Sequence, residues 1–167
     1  LSLWHREVRV GMGAQLDDRG AFAPRPTLRF ALGRPRWSLS AGLEFARTSF
    51  DNDGFLQEER WFGGDLRYSR LDLVDRMAFF AGASGRWLEQ TVERPDADAL
   101  SRAGLETTDD FAGFAGGAML GANYRLPLGR RVTAVFEGQA LGLLRQEGEE
   151  LRIRPEIAVS VGISWGF

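Results

Sequence analysis

The chain alternates. From Ile153 to Phe167 the odd positions are apolar or proline (Ile153, Pro155, Ile157, Val159, Val161, Ile163, Trp165, Phe167). The even ones are charged, small or polar (Arg154, Glu156, Ala158, Ser160, Gly162, Ser164, Gly166). A period of two predicts a β-strand with one apolar face. Its length suits a tilted membrane strand of about 9–11 residues better than a soluble strand of about 5–6.

The same alternation recurs upstream. Val8, Val10, Met12, Ala14 and Leu16 face away from Glu7, Arg9, Gly11, Gly13 and Gln15. Further apolar faces are Leu28, Phe30 and Leu32; Trp37, Leu39, Ala41, Leu43 and Phe45; Phe62, Leu66 and Tyr68; Met77, Phe79, Ala81, Ala83 and Trp87; Phe114, Ala118, Leu120, Ala122 and Tyr124; and Val132, Ala134 and Phe136. With the last stretch these make eight candidate strands. Phe80 falls on a polar face. Pro24 and Pro26 would interrupt a ladder, so they are expected in a loop or at a rim. Phe111 to Ala122 carries Gly113, Gly117 and Gly121 at a helix-packing spacing. As a helix, however, it is too short to span a membrane, and Asn123 and Arg125 follow at once.

The connections alternate as well. They read as long near 17–24, 49–59, 89–110 and 145–150, and as short near 33–36, 71–76 and 127–131. Short turns at one end and longer loops at the other mark an up-and-down barrel of the outer-membrane type. An even strand number leaves both termini at the short-turn end.

Ser160, Gly162, Trp165 and Phe167 stand in the order polar, glycine, aromatic, terminal aromatic. The pattern resembles the C-terminal β-signal of bacterial outer-membrane barrels, which implies the barrel-assembly machinery as a partner during insertion. The rival reading of the motif is an ordinary last strand of a soluble all-β domain that happens to end in Phe. With the strand number, the whole chain resembles the small eight-stranded barrels of the OmpA, OmpX and opacity type. The resemblance implies one transmembrane barrel domain over residues 1–167, seated in outer-membrane lipid and lipopolysaccharide after removal of a signal peptide.

Alternation alone does not decide which face is inside; a soluble lipocalin-like ligand-binding barrel would put the apolar side chains in the lumen. Two patterns favour the outward reading. The polar faces carry opposite charges, with Glu7, Glu44, Asp65, Glu137 and Glu156 against Arg9, Arg29, Arg67, Arg86, Arg125, Arg152 and Arg154, which could pair inside a narrow lumen. Aromatics gather where strands meet connections. Trp4, Trp37, Tyr68, Tyr124, Trp165 and Phe167 lie at the short-turn end, and Phe22, Phe45, Phe62, Trp87 and Phe114 toward the longer loops. This is the pattern of two interfacial girdles.

Composition adds limits. The 167 residues include no cysteine, so there is no disulfide and no thiolate site. All 21 basic residues are arginine, and the net charge of −2 speaks against a nucleic-acid partner. A mean hydropathy of −0.23 fits a barrel, whose apolar residues hide in alternation.

Candidate chemistry is sparse. Some small barrels of this membrane modify lipid A with a His, a Ser and an acidic partner near the outer leaflet. The single histidine, His5, lies at the opposite end of the first strand. Asp51-Asn52-Asp53-Gly54 starts like a calcium loop, but Phe62 stands where the closing glutamate belongs. The carboxylate pairs Asp109-Asp110 and Glu149-Glu150 sit among polar loop residues. No catalytic residue, cofactor or metal ligand is expected. An eight-stranded barrel is filled by its own side chains, and Trp61 on the inner face adds to the filling. The expectation is a non-enzymatic structural or interaction barrel, able to contact a protein partner through residues 89–110, with a narrow gated channel, a lipid A-modifying enzyme and a soluble lipocalin-like ligand-binding barrel as the alternatives.

Overall fold

The computed structural model describes residues 4–17, 20, 22–52, 55–94, 97–104, 108–147 and 150–167. The chain is a closed, eight-stranded antiparallel up-and-down β-barrel. Its strands are β1 (His5–Asp17), β2 (Phe22–Arg34), β3 (Trp37–Asn52), β4 (Phe55–Val74), β5 (Met77–Glu93), β6 (Thr108–Pro127), β7 (Val132–Glu147) and β8 (Glu150–Gly166). A six-residue helix, α1 (Ala97–Arg102), tops the β5–β6 connection. Phe111 to Ala122 is strand, within β6.

Each strand pairs with its sequence neighbours, and β8 returns to β1 with Val159 opposite Ala14 and Val161 opposite Met12. The last residue seals the seam. The Phe167 N–H donates to the Arg6 carbonyl at 3.0 Å, and the Arg6 N–H donates back at 3.3 Å. Gly11 and Gly162 face each other across it. A Cβ on Gly162 would stand 3.1 Å from the Gly11 Cα, so the two strands approach closely only without a side chain there.

The period-two pattern fixes the faces. Val10, Met12, Leu28, Phe30, Leu39, Leu43, Leu66, Leu120, Val159 and Val161 are exposed on the outer wall. Glu7, Arg25, Arg29, Glu44, Asp65, Arg67 and Arg86 are buried in the interior. The outside is therefore the apolar side, the reverse of a lipocalin-like barrel.

The expected long loops are shorter than the sequence suggests. Residues 22–24, 49–52, 55–59, 89–93 and 145–147 belong to strands. Polar alternation in these extensions carries no apolar face, so the sequence reads as loop. The tips at 53–54, 95–96, 105–107 and 148–149, with parts of the Asp-rich and Glu149-Glu150 motifs, lie outside the described residues, as do 18–19. The walls rise unevenly. The β3–β4 ladder runs up to Asn52 opposite Phe55, whereas the β2–β3 ladder stops at Thr27 opposite Glu44.

Pro24 and Pro26 depart from expectation. Both lie inside β2, opposite Ala14 and Met12 of β1. A strand's N–H groups alternate between its two neighbours, so prolines two apart withhold donors from one side only. The ladder toward β3 is the one missing at that height.

Candidate functional site: the lumen and the outer wall

Alternate residues of every strand project inward, and the arginines among them find carboxylates on neighbouring or opposite strands. Near the short-turn end one chain of contacts crosses the barrel. Arg125 on β6 pairs with Glu7 on β1. Arg9 lies 3.0 Å from Glu7 and 3.1 Å from Glu137 of β7. Arg67 on β4 reaches Glu137 at 2.6 Å and Asp65 at 2.8 Å. Arg29 on β2 closes the run with a two-pronged grip on Asp65, at 2.7 and 2.8 Å. Such forked charge-assisted bonds are the strong, geometrically defined kind. Gly42 makes room for this arginine: a Cβ there would stand 2.6 Å from Arg29 Nη2.

A second layer lies toward the longer connections. Arg25 pairs with Glu44. Arg86, whose side chain is 0% exposed, reaches Glu44 at 3.2 Å and Glu156 at 2.5 Å, and its guanidinium carbon sits 3.9 Å from the Trp61 ring centroid. Above them Arg145 donates to Glu59 at 2.8 Å and to Gln90 at 2.6 Å. Two apolar clusters complete the filling: Phe80 with Met119 and Leu141, and Trp61 with Ala23, Ala46, Leu88 and Ala115. Phe80, out of place in the alternation, is thus a lumen residue beneath the Arg67 guanidinium, 4.4 Å away.

Of the twelve lumen residues read from the sequence, the structure gathers Glu7, Arg9, Arg29, Glu44, Asp65, Arg67, Arg86, Arg125, Glu137 and Glu156 into these pairs. Arg154 lines a small cavity beside Glu156, Glu59 and Arg145. Arg152 is a correction: it shares their parity but is exposed and pairs with Glu150 at 2.7 Å, because β8 there has risen beyond the closed part of the barrel. Sequence reasoning missed Arg25, at the very start of the second expected strand, and Glu59 and Arg145, each in a stretch taken for a connection. Their parity, continued along the strand, was the available signal.

The aromatics form two outer bands. At the short-turn end Trp4 meets Trp37 edge-on at 5.7 Å, Trp37 stacks with Tyr68 at 6.4 Å, and Arg34 lies 5.0 Å over Trp4. Tyr124 and Trp165 are exposed on the same rim. At the other band Phe45, Phe62, Trp87 and Phe114 stand in one register row across β3 to β6. The exposed pairs Arg47–Glu58 (2.9 Å) and Arg60–Glu89 (2.6 Å) sit just above that row. From Phe114 to Tyr124, β6 has the length of a membrane-crossing strand, about 9–11 residues.

His5 lines a small polar cavity at the short-turn end with Glu7, Arg9 and Arg125. It is far from the second aromatic band. Among the described residues, no group of three or more His, Cys, Asp or Glu side chains is arranged to hold a metal ion.

A closed eight-stranded barrel with an apolar outside, an ion-paired inside and two aromatic bands has the architecture of the small outer-membrane barrels. Solved structures bear this out at the level of the fold. The chain is similar to Neisserial surface protein A (TM-score 0.57, 11% identity, 99% of this chain and 98% of that one). It is similar also to the attachment invasion locus protein Ail of Yersinia pestis (TM-score 0.61, 6% identity, 98% and 97%). A major outer membrane protein from Thermus thermophilus matches with a TM-score of 0.60, 12% identity and coverage of 97% and 99%. No family model matches the chain, and no curated protein matches it in sequence.

Proposed function

We propose that the protein is a non-enzymatic barrel of the bacterial outer membrane, seated in phospholipid and lipopolysaccharide, that serves as a structural or interaction element of the envelope. One observation carries this reading: the large apolar side chains lie outside and the ionised ones are shielded inside. Such a surface would be insoluble in water, and its charges would be poorly placed for a soluble domain. Lipid is the solvent that suits it.

The lumen network acts as a strut. It ties strands on opposite sides of the barrel and fills the bore, so the barrel is not an open pore. Activity is then left to the wall and to the rising β3–β6 side. The β5–β6 hairpin with α1 is the part that would meet a protein partner. The Ser160, Gly162, Trp165 and Phe167 motif on the closing strand would be read by the assembly machinery during insertion. His5, at the wrong end of the barrel for lipid A chemistry, is a rim residue.

Two measurements test the proposal together. Refolded into phosphatidylcholine vesicles, the protein should migrate faster on a gel unheated than boiled. In planar bilayers it should show no steady conductance. Solubility without detergent, or stable single-channel steps, would overturn it.

A further inference from the structure

The β2–β3 wall has an interruption that the lumen network and the aromatic bands do not explain. The ladder between these strands ends at Thr27 opposite Glu44, yet both strands continue, β2 paired with β1 up to Phe22 and β3 paired with β4 up to Asn52. In the gap β2 carries Pro24 and Pro26, which have no N–H to offer. Two polar contacts, both involving lumen-facing side chains, hold the strands together instead. The Arg25–Glu44 ion pair spans the lower edge, and the Thr48 hydroxyl donates to the Phe22 carbonyl at 3.0 Å at the upper edge. The interruption is therefore a bounded slot and not a frayed end.

The slot opens outward onto an apolar groove and has two alanines on its lumen side. Outside lies a groove of about 620 Å³, within the roughly 300–1,000 Å³ of ligand clefts. Val10, Met12, Pro26, Leu28, Leu43 and Phe45 form its walls, and the lumen-facing residues Thr27 and Glu44 also line it, so it reaches into the thickness of the wall. Inside, behind the gap, Ala23 and Ala46 are buried in one cluster with Trp61, Leu88 and Ala115, flanked on the same two strands by the buried Arg25, Glu44 and Thr48. Nearer the short-turn end these strands bury Arg29, Ser38 and Ser40. Ala23, Ala46 and Trp61 are closed to solvent, at 4%, 0% and 3% exposed, so a group entering the slot has to part β2 and β3 to reach them.

We propose that this slot is a lateral acyl-chain site. One fatty acyl chain of a surrounding membrane lipid lies in the groove, and its end passes between Pro26 and Phe45 to rest against Ala23, Ala46 and Trp61. The groove faces the bilayer, so the occupant is a lipid chain and not a solute from water. An acyl chain needs no hydrogen-bond partner, and β2 has lost the donors that would close the ladder. The Arg25–Glu44 pair and the Thr48 hydroxyl act as the latch that keeps water and polar headgroups from following. The proposal rests on the membrane reading above.

Photocrosslinking tests it on the unaltered protein. The probe is phosphatidylcholine bearing a diazirine near the end of one acyl chain, mixed into phosphatidylcholine vesicles that hold the folded barrel. After irradiation, peptide mass spectrometry locates the adducts. Adducts on Ala46 or Trp61 as well as on Leu43 and Phe45 are expected. Adducts on outward residues alone, such as Leu28, Leu43, Phe45 and Leu120, overturn the slot and leave the membrane reading standing. No adducts anywhere on the wall overturn both. The Pro24→Val/Pro26→Val variant restores two donors toward β3, and its folding is checked by the heat-dependent gel shift. Loss of the Ala46 and Trp61 adducts, with those on Leu43 retained, is expected. Lumen adducts unchanged from the parent protein would show that the prolines do not make the opening, and the proposal fails.

Discussion

Arg86→Met isolates what the lumen pairs contribute. The methionine keeps a flexible stem over Trp61 and removes the guanidinium. Glu156 then loses the partner 2.5 Å away, and Glu44 keeps only Arg25. Removing one member of a buried ion pair costs about 3–5 kcal/mol, because the carboxylate left behind is neither solvated nor paired. Loss of the cation over the Trp61 face adds up to about 2 kcal/mol when desolvated, of which a sulfur–aromatic contact returns about 0.3–1.5 kcal/mol. The net expectation is a loss of about 3–5 kcal/mol. Arg47→Ala is the control. It breaks a pair whose side chains are 64% and 45% exposed, so about 0–1 kcal/mol is expected. Urea titration in phosphatidylcholine vesicles, read by the unheated gel shift, measures both. In Arg86→Met/Glu156→Gln the stranded charge is gone, and a coupling of about 1 kcal/mol or more should be recovered. A cost for Arg86→Met no larger than for Arg47→Ala would refute the claim that the lumen network braces the barrel.

Three further outcomes follow from the same structure. Leu120→Arg, on the outer wall and 65% exposed, should destabilise the barrel in vesicles by about 2–4 kcal/mol, as a cation near the bilayer midplane does. An unchanged urea midpoint would place that face in water. Gly42→Val should cost about 1–3 kcal/mol by crowding the Arg29 guanidinium, which a Cβ would already approach to 2.6 Å; the same titration checks it. Beyond the membrane band, the Arg94 guanidinium beside Asp109 holds that carboxyl below its ordinary value. Its folded-state pKa is depressed, so the pair's contribution is fully present above the ordinary aspartate value of about 3.9 and is lost as pH falls through the lower one. Backbone hydrogen exchange at the base of the β5–β6 hairpin should rise below about pH 4 while the barrel stays closed. No change down to about pH 2 would contradict the assignment.

How much of this was legible in the chain divides along one physical line. Wherever a strand has one apolar and one polar face, the alternation is sharp and puts Val159, Val161, Leu43 and Leu120 on the apolar one; that this face is the outer wall needed the matched charges and the aromatic bands as well. The partners of each inward charge were not legible. Arg67 meets Glu137 across the barrel, and nothing in sequence separation of that size points to it. Above the membrane band both faces are polar, period two loses its contrast, and the strand residues of 49–59 and 89–93 look like loop. Phe80, Val135, Leu141 and Leu143 are buried and apolar on inward positions, because a narrow bore also needs packing and not charge alone. Pro24 and Pro26 misled for a related reason: the rule against proline holds for a strand paired on both sides, and β2 at that height is paired with β1 only.

Every role given to the wall and the lumen depends on lipid being what the outward residues touch. The chain has no cysteine, so single spin labels can be placed one at a time along β8 from residue 157 to 164, Gly162 left out because the seam has no room for a side chain there, in the vesicle-embedded protein. Collision rates with oxygen, which concentrates in bilayers, and with a water-soluble nickel chelate then report the surroundings of each. High oxygen and low nickel accessibility is predicted at 157, 159, 161 and 163, with both low at 158, 160 and 164. High nickel accessibility at the odd positions would put water against the apolar wall and contradict the membrane reading.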